Sequence, residues 1–407
     1  MRYLRFLMLA SGLFLLGFST EGYCATVAAR STSQADVQAA INSAASGDTV
    51  TVPAGNSTWS SRVDIPDGKK ITLQGNGYDS TLISGAGVGI NSGARVTGIG
   101  FTFSGTTLIE AKGKGWRVDN CSFTNTSSGN AVAVYPNGLN TTVSPAGLID
   151  NCIFNYCKVL THSMGNFNTA SAQWAADLGL GTDDAVYVED CTFNYDGRGN
   201  CVDTNRGGKY VFRYNTVTQS RAEVHSLQSG TERGSRKWEI YENKWIATSA
   251  LWAPLFVRGG TGVAFNNTFT GPWNSEGIVL DNVRDSTSAG AAGSCDGGSS
   301  WDGNTAGQSG WPCRDQIGRS TDQWLWTSGN PYPPQASDPA YMWNNKLNGS
   351  DIRVTLRGSH IRDGRDIFIN AGPKPGYKPY TYPHPLQNGG GTVPVPVPSA
   401  PSSLRIQ

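Results

Sequence analysis

Three stretches decide the fold: "VDNCSFTN" at residues 118–125, "IDNCIFNY" at 149–156 and "VEDCTFNY" at 188–195. Each reads apolar residue, polar pair, cysteine, any residue, phenylalanine. The series continues as "FRYNTVTQ" from Phe212, "IYENKWIA" from Ile240, "AFNNTFTG" from Ala264 and "MWNNKLNG" from Met342, with asparagine in the place of cysteine. "VTGIGFTF" from Val96 sets Ile99 at the head of the series. The equivalent residues are Ile99, Cys121, Cys152, Cys191, Asn215, Asn243, Asn267 and Asn345, at intervals of 22, 31, 39, 24, 28, 24 and 78 residues. A repeat that varies in this way has a basal unit of 22 to 24 residues into which loops are inserted.

A unit of that length, built from short alternating strands and tight turns, is one coil of a right-handed parallel β-helix. Coils stack at about 4.8 Å, so residues of equal phase lie on top of one another. Cys121, Cys152 and Cys191 should form an inward ladder beside Phe123, Phe154 and Phe193, and the asparagines an amide ladder at a corner. Leucine-rich repeats have a similar period, but their leucine spacing is missing. The fold class expected is all-β: a single right-handed parallel β-helix solenoid. The amphipathic segment Gln34–Ala45 places Val37, Ile41 and Ala44 on one face, and is expected as an N-terminal capping helix over the open end.

With 407 residues, 38% hydrophobic, and a net charge of +1, the chain can bury a large core but has no global bias toward nucleic acid or a membrane surface. Residues 1–25 run from basic to apolar to small-polar, the order of a secretory signal peptide, which implies export. No apolar run reaches the roughly 20 residues of a transmembrane anchor. The β-helix is expected over 26–387, with a Gly-rich excursion at about 285–335. Cys295 and Cys313 flank part of it, and in an exported protein they should close it as a disulfide. Residues 388–407, "NGGGTVPVPVPSAPSSLRIQ", read as a linker or tail.

"ADVQAAINSAASGDTVTVPAG" at 35–55, together with the coil period over about residues 32–370, resembles the pectate-lyase-like right-handed β-helix superfamily. "PCRDQIGR" and "YKPYTYPHPL" resemble segments of exported bacterial β-helix proteins. The resemblance implies an acidic polysaccharide bound across parallel strands. In the lyases of that superfamily, acidic residues hold calcium and Arg or Lys serves as base. The polygalacturonase motifs are missing: "DTN" at 203 reverses one of them, and "TDDA" at 182 gives a bare Asp pair.

Counting from the phase residues brings out a candidate site. Cys152 plus 10 is His162, Cys191 plus 12 is Asp203, and Asn215 plus 10 is His225, which suggests His, Asp and His at one ladder position. An Asp between imidazoles orients them and raises their pKa, as acid–base chemistry requires. Around them fall Arg206, Lys209, Arg221, Arg233, Arg236 and Arg258, with Glu223 among them. Guanidinium forks match the carboxylates of uronic acids. The leading expectation is a polysaccharide lyase acting on an acidic glycan by β-elimination, with His162, Asp203, His225, Arg206 and Arg236 catalytic. Arg221, Lys209, Arg233, Arg258 and Glu223 would bind substrate. A glycoside hydrolase using Asp183, Asp184 or Asp203, and a non-catalytic surface or adhesion protein, are the alternatives. The same ladder could be plain polar stacking or hold a metal. No fixed cofactor follows from the sequence; calcium is the candidate, with "DDAVYVED" and "DNVRDS" offering oxygen ligands without a recognised spacing.

Overall fold

The computed structural model describes residues 24–105, 107–136, 144–163, 176–227, 233–285, 294–295, 312–321 and 335–388. The expected signal peptide and most of the tail and of the excursion lie outside these residues. The chain winds as a right-handed parallel β-helix. One face is a 12-stranded sheet in chain order, from Thr26–Ala28 and Thr49–Thr51 through Val186–Glu189, Lys209–Arg213 and Lys237–Tyr241 to Ile367–Ile369. The other strands form two further faces joined through shared strands, such as Ser122–Tyr135 and Ile153–Thr161, which run around a corner. The strands pair in parallel, apart from the short Lys346–Leu347 and Ser350–Asp351 pair.

The repeat signature is one corner read once per coil. Phe101, Phe123, Phe154 and Phe193 stack with ring centroids 5.6, 5.0 and 4.4 Å apart. Each ladder cysteine turns its thiol to the carbonyl two residues back: Cys121 to Asp119 at 3.2 Å, Cys152 to Asp150 at 3.3 Å, Cys191 to Glu189 at 3.2 Å. From Asn215 on, amides take over. Asn243 Nδ2 donates to Asn267 Oδ1 at 3.0 Å, and Asn267 Nδ2 to Asn345 Oδ1 at 2.8 Å. The residue before the ladder position is left-handed in seven successive repeats: Asn120, Asn151, Asp190, Tyr214, Glu242, Asn266 and Asn344. Asn and Asp accept that conformation most cheaply among side-chain-bearing residues, which is why the repeats so often read "DN", "ED" or "NN" here.

The helix spans Gln34–Ser43, with Ser33 as N-cap accepting from the Asp36 amide, and it buries Val37, Ala40 and Ile41. It packs on the first strands and covers the end of the core. Cys295 and Cys313 are bonded, 18 residues apart. Downstream, residues 377–387 fold back over the first face. Arg213 donates to the carbonyls of Tyr380 and Thr381 at 2.7 and 2.9 Å, and Arg117 to that of Leu386 at 3.2 Å. No described helix is long and apolar enough to cross a membrane.

Candidate active site

The third face alternates with period two. Val159, Val202, Val224 and Val257 enter the core, so Lys158, Leu160, Asp203, Arg221, Glu223 and Phe256 point outward. The register sets Leu160 beside Asp203, Val202 beside Ala222, and Glu223 beside Phe256. Asp203 therefore has Glu223, not a histidine, in register beside it on the next coil, and His225 lies two residues further along that strand. The His–Asp–His ladder expected from counting is corrected here. Thr161 pairs with Thr204, which puts Asn205 in the row of His162 and His225, and Asp203 two residues earlier. A slip of two residues keeps a side chain on the same face, so the three still gather on one surface.

Asp203 and Glu223 are 5% and 8% exposed. Lys158 Nζ reaches Asp203 Oδ2 at 2.9 Å, and His225 Nε2 lies 3.0 Å from Asp203 Oδ1 and 3.4 Å from Glu223 Oε2. Arg221 contacts Glu223 Oε1 at 2.6 Å, and Arg258 Nη2 lies 3.3 Å from Oε2. Burial opposes the charge on His225, but the carboxylates of Asp203 and Glu223 outweigh it and hold the imidazolium up to about 9. Burial would raise Asp203, yet His225 and Lys158 bring its carboxyl well below the usual range. Glu223 is lowered too, with His225, Arg221 and Arg258 outweighing burial. The cluster thus sets the carboxylates of Asp203 and Glu223 against Lys158, His225, Arg221 and Arg258, with the charge of Asp281 also acting on Arg258.

His162 differs from His225. It is 7% exposed, neither ring nitrogen has a hydrogen-bond partner among the described residues, and the ring meets Tyr135 edge-on at 5.3 Å. Burial, then the charge of Arg206, lowers it to about 3. It is a neutral imidazole that feels the charges of Asp203, Lys158 and His225. The two histidines on this surface are thus pushed in opposite directions, His162 toward the neutral ring and His225 toward the imidazolium.

No family model matches this chain, and no curated protein does. Among the solved structures similar to it are two alginate lyases. One is an alginate lyase from Paenibacillus sp. str. FPU-7, at 12% identity and a TM-score of 0.39 over 63% of this chain and 97% of that one. The other is the PL6 family alginate lyase AlyGC, at 13% identity and a TM-score of 0.41 over 87% of this chain. This chain spans 52% of AlyGC.

Three of the cations expected at the site have other commitments. Arg233 forms a buried bidentate pair with Asp315 at 2.8 and 2.7 Å and anchors residues 312–321 to the solenoid. Arg236, 1% exposed, donates to the carbonyl of Ala176 at 2.8 Å. Lys209 binds Asp184 at 2.6 Å on the first face, and burial, then Arg236, lowers it to about 8. Arg236, expected to be catalytic, and Lys209 and Arg233, expected to bind substrate, are held in these structural contacts. Arg206 keeps a place next to His162 through its charge, on a left-handed backbone with φ +49°. Counting missed Lys158, because it looked only for residues ten or so beyond the ladder. Trp252 flanks this surface, with Arg221 and Arg357 5.9 and 5.0 Å from the indole ring.

Asp203, Glu223 and His225 present ligand atoms within 4.8 Å of one another. A calcium ion takes six to eight oxygen ligands. Here two carboxylates already contact Lys158, Arg221 and Arg258, and the third member is a protonated imidazole. The donor set does not fit calcium.

Proposed function

We propose that this protein is a polysaccharide lyase that cleaves an acidic, uronate-containing glycan by β-elimination at the Asp203–Glu223 cluster. The observation that carries the reading is the gathering of cations around two buried carboxylates, beside a neutral imidazole. Elimination needs the uronate carboxylate neutralised, so that the proton on the neighbouring carbon becomes acidic, and a base to remove that proton. Arg258, Arg221 and Lys158 supply the positive field. His162 is the base, and the pKa of its weakly basic ring rises when a substrate carboxylate offsets the charge of Arg206. His225, protonated and oriented by Asp203, donates to the leaving glycosidic oxygen. The proton taken at carbon and the proton delivered to oxygen balance, and the electron pair of the C–H bond becomes the new C=C as the C–O bond breaks.

Hydrolysis fits this surface less well. A glycosidase holds one carboxyl protonated and its two carboxyls about 5–5.5 Å or 6.5–9.5 Å apart. Asp203 and Glu223 are both held ionised, and Asp184 is occupied by Lys209 and Lys114 at 2.6 and 3.1 Å. The test is ultraviolet absorbance of unsaturated uronate during incubation with uronate and neutral polymers. A rise on uronate polymers alone, lost in His162→Ala, supports the proposal. No rise on any polymer, with no binding, leaves a structural or adhesive role.

A further inference from the structure

The coil that carries Cys191 turns from the second face to the third with more chain than the coil that carries Cys152. Asn155 pairs with Asn194 and Val159 with Val202, so three residues in one coil face seven in the next. The four extra residues belong to "YDGRGN", from Tyr195 to Asn200. They raise a wall over the corner and leave a groove of 590 Å³ lined by Thr124, Asn125, Tyr156, Tyr195 and Arg198. A second hollow of 290 Å³ shares Tyr156 and Tyr195 and reaches Lys158, whose ammonium binds Asp203. The groove therefore opens onto the active-site cluster, and each hollow has the size of, or approaches, a typical small-ligand site.

Tyr156 is the reason to read it as a sugar site. Its ring is 44% exposed, yet its backbone is left-handed, at φ +58°. A bulky aromatic there is strained where Asn or Gly would be relaxed, as the other corners show. Tyr214 has a similar backbone, but its ring is covered by the tilted ring of Tyr382, centroids 3.9 Å apart. Tyr156 makes an edge contact with Tyr195 at 6.3 Å, and no other described ring covers it. The groove carries no unmatched charge: Arg198 is held by Asp196 at 2.5 Å, and Lys158 by Asp203. Its chemistry suits the apolar face and hydroxyls of a pyranose, with any carboxylate of that ring left toward solvent.

We infer that the groove is a distal subsite in which one pyranose ring of the glycan stacks on Tyr156, beyond the unit that reacts at the cluster. The inference rests on the glycan-lyase reading above. Such a subsite contributes binding and leaves the chemical step alone.

The test uses the full chain, with the uronate polymer found to be its substrate and a size series of oligomers made from it. Tyr156→Asn removes the ring and suits the left-handed backbone, and Tyr156→Phe keeps the ring. The asparagine variant should raise KM about tenfold with kcat nearly unchanged. The rise should vanish for oligomers too short to reach the groove, and Tyr156→Phe should behave as the parent. An active parent with the same KM and length dependence in Tyr156→Asn overturns the subsite and spares the lyase reading. A parent that neither cleaves nor binds any glycan overturns both.

Discussion

His225 touches the carboxylate of Asp203 from the next coil, Nε2 to Oδ1 at 3.0 Å, and this contact makes its imidazole a cation at neutral pH. Its pKa rises from 6.5 to about 9 on folding. The stability it contributes is fully present below pH 6.5 and is lost as pH rises through about 9. His162 has the opposite sign. Its pKa falls from 6.5 to about 3, so its contribution is present above pH 6.5 and fades as pH falls toward 3. Thermal unfolding across pH should show the alkaline limb flattened in His225→Gln and the acid limb flattened in His162→Gln.

Arg233 should matter for stability and not for catalysis. Removing one partner of a buried ion pair costs about 3–5 kcal/mol, because the other charge is left uncompensated. Arg233→Ala, which strands Asp315, should lower the denaturation midpoint sharply. Activity per folded molecule should stay near the parent's, and kinetics normalised to the folded fraction check this.

The amide ladder is the other place where one substitution should be felt far away. Asn243 Oδ1 accepts from the Asn215 amide at 2.9 Å, and its Nδ2 donates to the Phe212 carbonyl at 2.8 Å. Asn243→Ala leaves the buried Asn215 amide unpaired, at on the order of 1–3 kcal/mol, and breaks the amide ladder. Chemical denaturation should report the loss, with activity unchanged at low temperature.

Chelation separates this site from a calcium-dependent one. Because cations already contact the carboxylates of Asp203 and Glu223, extensive dialysis against a chelator should leave turnover and the unfolding midpoint unchanged. A loss restored by calcium would mean that the cluster rearranges to hold the ion.

The solenoid was legible because its repeat is local: the Cys or Asn, the aromatic two residues on, and the left-handed residue before it recur as letters. The site was legible only in part. Period two made His162, Asp203 and His225 share a face even with the count off by two, but their neighbours depend on corner length. The surplus "YDGRGN" corner could not be weighed without the strand register, so Glu223 went unrecognised as the partner of Asp203. Arg233 and Arg236 read like their neighbours in sequence. Their burial depends on Asp315 and Ala176, 82 and 60 residues away, which no spacing reveals.

The most direct test of the central claim is the mass of the products released from a uronate polymer by the parent, His162→Ala and His225→Ala. Elimination breaks the chain without adding water, so new non-reducing ends should be lighter by one water than hydrolytic ends. The parent should yield such unsaturated ends, and both variants should lose them while still folding and binding the polymer. Saturated ends from the parent, or unsaturated ends undiminished in both variants, would contradict the assignment.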